Sequence, residues 1–159
     1  MYDEWSMMKK ILVPIDGSES ADKALNLALD IARKYKAEVE ILHVIPPISV
    51  PVTPYPTIGE SPALSPGWVE DYYMKAKEES QKMLSEAKKS AKAKGGGLKI
   101  TSKLGDGRPS DVIVAEAESE NFDLIVMGSR GLGGIKEFIL GSVSNQVVHD
   151  SKKPVLILK

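Results

Sequence analysis

The sequence predicts an α/β fold: a doubly wound, Rossmann-like sheet of five parallel strands with helices on both faces. Short apolar runs alternate with stretches of helical spacing, which gives five strands and four helices in turn. The run from Leu124 to Met127 is apolar throughout, as expected of a parallel strand that helices cover on both faces. Because 159 residues suffice for one core, residues 1–159 are predicted to form a single domain.

The composition argues against several classes of function. A formal net charge of -1 and a pI near 6.2 give no bulk attraction to nucleic acid or to acidic membranes. The absence of cysteine excludes disulfides, thiolate zinc sites and cysteine nucleophiles, and it is compatible with a reducing cytosol. The first apolar run, residues 11–15, is too short for a signal peptide or a membrane span. We therefore expect a soluble cytoplasmic protein without nucleic-acid or membrane partners.

The first half of the chain predicts a strand, a helix and a second strand. Residues 1–8 are interpreted as a loose N-terminal extension, and residues 11–15 as the first strand, which places Asp16 at its carboxyl end. Ser18 is a plausible N-cap for a helix that continues to Tyr35 with an apolar stripe on one face. Residues 39–45 form the second strand, in which His43 is expected to be a hydrogen-bonded core residue rather than a ligand or base.

A proline-rich stretch interrupts this pattern. Residues 46–67 hold seven of the ten prolines, which excludes a regular helix or a central strand and predicts a long surface loop. Whether this loop is a mobile connection, a lid or a partner-docking arm stays open. The next helix is predicted over residues 69–94, with Tyr72, Tyr73, Met83 and Leu84 in its buried stripe, and Gly95 to Gly97 end it.

The second half predicts three strands and two helices. Strands are expected over residues 98–104, 122–127 and 155–158. A helix over residues 109–120 begins with Pro109, and the last helix, residues 142–150, turns Val143, Val147 and Val148 inward. Glu116, Glu118 and Glu120 are interpreted as surface charges of the first of these helices.

The loop after Met127 is rich in glycine and leads into a helix. Gly128, Gly131 and Gly141 follow one another at intervals of two and nine intervening residues, Gly133 and Gly134 lie between them, and Ser142 comes next. Glycines let backbone N–H groups approach an anion, and the N-terminus of a helix supplies unpaired amides and a positive dipole end. From these residues alone a phosphate cradle and a set of tight turns are about equally supported. No P-loop and no dinucleotide-binding fingerprint is present in the sequence.

This spacing, together with Met127 before it, resembles the ATP-binding branch of the universal stress protein family. The resemblance extends over nearly the whole chain, from residues 10–18 through 42–44, 123–131 and 141–143 to 153–157. It implies ATP as the ligand. It also implies a homodimer joined through the last strand, Val155–Leu158, whose edge is suited to pairing with a copy of itself.

Ligands of doubly wound sheets bind where the strand order reverses. If the first and fourth strands are neighbours, the loops that follow them face one another across a crevice at that point. Ile15, Val44 and Met127 would then pack against adenine. Asp16 either accepts hydrogen bonds from ribose and helps to hold Mg, or only shapes the turn into the helix. Arg130 either binds a phosphate or points to solvent. The nucleotide-contacting positions that the resemblance implies are Pro14, Ile15, Asp16, Val44, Met127, Gly128, Ser129, Arg130, Gly131, Gly141, Ser142, Val143 and Ser144.

The sequence offers no catalytic residue. There is no serine–histidine–acid order, no H-E-x-x-H helix and no close carboxylate pair at a predicted strand end. The leading hypothesis is a dimeric stress or signalling module in which bound ATP alters a surface read by a protein partner. The alternatives are a weak Mg-dependent ATPase or nucleotide-transfer enzyme that uses Asp16, and a nucleotide-free dimeric scaffold.

Overall fold

A computed structural model describes residues 8–48, 66–131 and 140–159. Its strands are β1 (Lys10–Pro14), β2 (Glu38–Ile45), β3 (Ile100–Asp106), β4 (Leu124–Gly128) and β5 (Val155–Leu158). Its helices are α1 (Glu19–Tyr35), α2 (Pro66–Lys94), α3 (Pro109–Ser119) and α4 (Ser142–Asp150). All neighbouring strands are parallel, in the order β3-β2-β1-β4-β5. The predicted doubly wound α/β fold is confirmed.

The direction of winding reverses between β1 and β4, which are neighbours, as the predicted ligand crevice requires. The chain winds outward from β1 through β2 to β3, returns to the other side of β1 as β4, and ends at the edge as β5. β1 pairs with β2 along its whole length, but its register with β4 covers two residue pairs, Ile11 with Leu124 and Leu12 with Ile125. Beyond Leu12, β1 and β4 no longer pair with each other, although β1 still pairs with β2 and β4 with β5.

The core has two layers because successive residues of a strand face opposite sides of the sheet. Ile11 and Val13 belong to the cluster under α1 and α2, whereas Leu12 belongs to the cluster under α3 and α4. Small residues let α1 lie close to the sheet, and its start is capped as predicted, because the Ser18 hydroxyl accepts a hydrogen bond from the Ala21 amide.

Several predicted boundaries were shifted. β3 starts at Ile100 because the Leu98 amide still donates to the Gly95 carbonyl in the preceding turn. β4 starts at Leu124 because the Phe122 amide bonds back to Ala117 at the end of α3. β1 covers Lys10–Pro14 rather than residues 11–15. Met8, assigned to a loose extension, is partly buried against the core.

The proline-rich loop is shorter than predicted, since Pro66 and Gly67 already belong to α2. Residues 1–7, 49–65 and 132–139 lie outside the described part, and with them most of this loop, Gly133 and Gly134. Two residues predicted to be buried are exposed: Tyr72 at 52% and Val148 at 46%. A helix of 29 residues spans about 43 Å, against about 23 Å for the seven residues of β3, so the first turns of α2 have no sheet to cover. None of the helices in the described ranges combines the length and apolar character needed to cross a membrane.

Candidate functional site

A cavity of about 520 Å³ lies at the carboxyl edge of the sheet, where β1 and β4 separate. The ends of β1, β2 and β4 form its floor, and the first turns of α3 and α4 form its sides. All of the predicted contact positions except Ser129 line it. The described residues that line it are Pro14, Ile15, Asp16, Ala21, Leu42, His43, Val44, Pro46, Pro109, Ile113, Met127, Gly128, Arg130, Gly131, Gly141, Ser142, Val143 and Ser144.

The turn after β1 presents one carboxylate oxygen to the cavity. The Ser18 amide donates to Asp16 Oδ1 at 3.0 Å, so one oxygen of Asp16 shapes the turn into α1, as one of the two readings predicted. The other oxygen, Oδ2, faces Gly131 across the crevice: a Cβ built on Gly131 would lie 2.5 Å from it. Asp16 therefore serves the turn with one oxygen and faces the loop after β4 with the other.

Two serine hydroxyls of α1 hold the loop that follows β4. Ser20 Oγ donates to the Arg130 carbonyl at 2.6 Å, and Ser18 Oγ does so at 3.3 Å. This contact requires a close approach at Gly128, where a Cβ would lie 2.4 Å from Ser20 Oγ and 2.8 Å from the carbonyl carbon of Ser20. Gly128 is thus needed for the packing of β4 against α1.

Ser129, the first residue after β4, links this loop to the start of α4. Its carbonyl accepts from the Gly141 amide at 2.7 Å and from Ser144 Oγ at 2.8 Å. Its amide donates to the Leu158 carbonyl of β5 at 2.7 Å. The Gly141 amide is therefore bonded within the protein and is not among the N–H groups left for an anion. Gly141 is instead the N-cap of α4, and no side chain of the described residues caps this helix.

The cavity is apolar on one side and polar on the other. Leu42, Val44, Ile113 and Met127 are buried side chains of one core cluster that border the cavity. The polar side holds Asp16, His43, Arg130 and the start of α4, whose first N–H groups have no partner within the helix. This arrangement suits a ligand with a flat apolar part and an anionic part.

Sequence reasoning did not assign the cavity positions that α3 contributes, Pro109 and Ile113, or Leu42, Pro46 and Ala21. It considered the ends of strands, whereas the N-terminus of every crossover helix reaches the same edge. The prediction that His43 is hydrogen-bonded is confirmed, since its Nδ1 lies 2.8 Å from the Ile15 carbonyl, although the half-buried ring also borders the cavity.

Among the described residues, Asp16 is the single carboxylate in the cavity lining. Within residues 8–48, 66–131 and 140–159, no cluster of three or more His, Asp or Glu side chains is placed to hold a metal ion. A cation at this place would need ligands from a bound molecule, as Mg²⁺ typically has when it binds with phosphates.

A sequence model described as the universal stress protein family matches residues 7–159. The chain is 37% identical over 153 residues to universal stress protein YxiE of Bacillus subtilis, covering 96% of this chain and all of the relative. It is 34% identical over 157 residues to universal stress protein MJ0577 of Methanocaldococcus jannaschii, covering 96% of each. A solved structure of MJ0577 superposes with a TM-score of 0.79 over 96% of both chains. A crystal structure of a universal stress protein in complex with cAMP has 29% identity and a TM-score of 0.63, covering 95% of this chain and 96% of that one.

The close contact at Gly128 gives a stability prediction. Gly128→Ala places a methyl group against the Ser20 backbone, so α1 must shift and the hydrogen bond from Ser20 to Arg130 is strained; we expect the free energy of unfolding to fall by about 1–3 kcal/mol. Urea unfolding measures the loss. Gly67→Ala is the control, because a Cβ there meets nothing within 4 Å. Equal stability of the Gly128 variant and the wild type would contradict the packing role.

Proposed function

Because the chain belongs to the universal stress protein family, we propose that it binds ATP in the cavity at the carboxyl edge of its sheet and acts as a dimeric stress-response module. One observation carries the proposal. Where β1 and β4 separate, an apolar wall, a glycine facing a carboxylate and the start of a helix border the same cavity. A relative with 29% identity is described in complex with cAMP, which supports an adenine nucleotide as the class of ligand.

The apolar side of the cavity suits the base. Val44 and Met127 are almost completely buried at the ends of β2 and β4, and Ile113 of α3 stands beside them in the same core cluster. An adenine ring placed against them removes apolar surface from water at about 25 cal/mol per Å². Ile15 and Pro14, at the end of β1, also border the cavity.

The polar side suits the sugar and the phosphates. Asp16 Oδ2 is an acceptor for the ribose hydroxyls, or a single carboxylate ligand for a Mg²⁺ ion that the phosphates bring with them. The first turn of α4, from Ser142 to Ser144, offers N–H groups and a positive dipole end to the phosphates. The glycine at position 131 leaves the space in front of Asp16 unfilled. The residues of the site therefore fit Mg-ATP, with Asp16 as the one carboxylate that the described lining offers to the metal.

The proposed output is a change in a surface that a partner reads. β5 is an edge strand with Leu156 exposed at 36% in its middle, which suits pairing with a second copy of the chain. Ser129, in the loop beside the proposed phosphate site, donates its amide to the carbonyl of Leu158. One hydrogen bond thus links the loop beside the proposed phosphate site to the proposed dimer strand, so a nucleotide bound there also acts on β5.

A thermal melt tests the binding of ATP. A ligand at one hundred times its dissociation constant stabilises the folded state by about 2.7 kcal/mol, so saturating Mg-ATP is expected to raise Tm by roughly 5–10 °C in a domain of this size. Mg²⁺ with inorganic triphosphate, which lacks the base and the sugar, is the control and should shift Tm less. An unchanged Tm in millimolar Mg-ATP would remove the proposal.

Gly131→Val tests the geometry of the polar side. The branched side chain would meet Asp16 Oδ2 and fill the space proposed for sugar and phosphate, so ATP affinity should fall by at least about tenfold, or 1.4 kcal/mol. Isothermal titration calorimetry measures the dissociation constant, and circular dichroism verifies that the fold is retained. Gly67→Val, the same exchange where a Cβ has no neighbour within 4 Å, should bind ATP as the wild type does. Wild-type affinity in the Gly131 variant would mean that Gly131 serves a turn alone.

The proposed dimer has its own test. Leu156→Lys places a charge in the middle of the β5 edge, where an apolar side chain is exposed, and should convert the dimer to a monomer. Analytical ultracentrifugation measures the mass. Val69→Lys on α2, at an equally exposed apolar position, is the control and should leave the mass unchanged. A wild-type protein that sediments as a monomer, or a Leu156 variant that stays dimeric, would contradict pairing through β5.

A further inference from the structure

Two carboxylates and one lysine meet between α3 and the sheet, away from the cavity. Lys103 of β3 donates from Nζ to both carboxylate oxygens of Glu116 of α3, each at 2.7 Å. Glu116, interpreted from the sequence as a surface charge, is in fact only 8% exposed. Glu40 of β2 accepts from Thr101 Oγ1 with Oε2 at 3.3 Å. Its other oxygen, Oε1, is buried and has no hydrogen-bond partner among the described residues.

The charges of this cluster do not balance when both carboxyls are ionised. A single lysine then faces two carboxylates, and a buried acceptor is left without a donor, which is unfavourable in a poorly solvated place. A proton on Glu40 removes one charge and turns the unpartnered oxygen into a donor. Burial raises the pKa of Glu40, and a hydrogen bond and the negative charge of Glu116 raise it further, against smaller opposing effects of Lys103 and Thr101.

We propose that Glu40 and Glu116 hold one proton between them in the folded protein, and that this proton clamps α3 to β2. The clamp is independent of the proposed nucleotide site, but it acts on a helix that borders the cavity. Ile113, which lines the cavity, is one turn before Glu116 on the same face of α3. A carboxyl hydrogen bond between helix and strand fixes that face in register with the sheet.

The other charges around the cluster do not supply the missing donor. Lys103 already gives its hydrogen bonds to Glu116, and this contact raises the pKa of the lysine, which stays cationic at neutral pH. Glu120, the C-cap residue of α3, adds a negative charge that favours the cationic form of Lys103. On β1, Lys10 donates to the backbone carbonyl of Glu120 and lies 3.7 Å from Glu120 Oε2. None of these charged groups donates a hydrogen bond to Glu40 Oε1, so a shared proton is the partner that we infer for this oxygen.

The shared proton sets the sign of the pH dependence. The pKa of Glu40 is above its ordinary value of 4.5 in the folded protein, so between these two values the folded state binds more protons than the unfolded state. The stabilisation is complete below the ordinary value and is lost as the pH rises through the raised one. Across that window the folding equilibrium constant should fall by up to about tenfold per pH unit from this group.

Glu40→Gln tests the clamp. Glutamine has the shape of the protonated acid and keeps an N–H donor for Glu116. Above the raised pKa of Glu40 the variant should therefore be more stable than the wild type, and it should lack this part of the fall in stability. Urea unfolding at a series of pH values gives both results. Glu38→Gln is the matched control: it lies two residues away on β2 in an exposed ion pair with Lys99, and its profile should follow the wild type.

Parallel pH profiles of the wild type and the Glu40 variant would overturn the proposal. A titration of the side-chain carboxyl carbons by NMR decides the matter in the unmutated protein, whatever the stability of the variant. The Glu40 carboxyl is expected to titrate above 4.5. Titration of Glu40 at or below 4.5 would equally exclude a shared proton.

Discussion

The short pairing between β1 and β4 is the constraint on which the site depends. These central strands share register at Ile11 and Leu12 and then run on without pairing. Part of the reason is chemical, because Pro14 has no N–H group to donate across the gap. Elsewhere the sheet is continuous: β2 pairs with β3 over seven residue pairs and β4 with β5 over four. The cavity opens at the one strand junction that separates, which is also where the direction of winding reverses.

An opening of this kind must be held at a fixed width, and the hydroxyl groups of α1 and α4 do so. Ser18 and Ser20 bind the carbonyl of Arg130, and Ser144 binds the carbonyl of Ser129. Carbonyl groups that leave a strand end would otherwise need water or a ligand to satisfy them. Because serines at the start of α1 and in α4 donate these hydrogen bonds, residues 129 and 130 leave the sheet between α1 and α4. The three glycines of the motif then serve different purposes: close packing at Gly128, open space before Asp16 at Gly131 and a helix N-cap at Gly141.

The fold could be predicted from the sequence because β1 and β4 are apolar on both faces and α1 has a clear apolar stripe. The positions of the site could be predicted as well, since the strand ends and the glycine spacing point to one edge of the sheet. The role of each glycine could not be predicted, because it depends on residues far away in the sequence, as Gly128 depends on Ser20. Ser129 acts through its main chain alone, which leaves no trace in residue type. Tyr72 and Val148 were placed wrongly because a helical stripe gives the face of a helix but not the extent of the sheet beneath it.

Glu116 shows how a charged residue can be assigned to the wrong side of a helix. It is three residues after Ile113 and next to Ala117, both buried, so the helical period itself turns it toward the sheet. Its charge predicts a position on the surface, whereas the helical period predicts burial, so the two predictions conflict at this residue. The structure resolves the conflict with Lys103, whose aliphatic stem and ammonium group bring an opposite charge to the buried carboxylate. Since a helix is stiff and rises 1.5 Å per residue, Glu116 lies about 10 Å along the helix from Pro109 at the cavity edge. The position of α3 at the cavity is thus set in part by a charge cluster near the opposite end of the same helix.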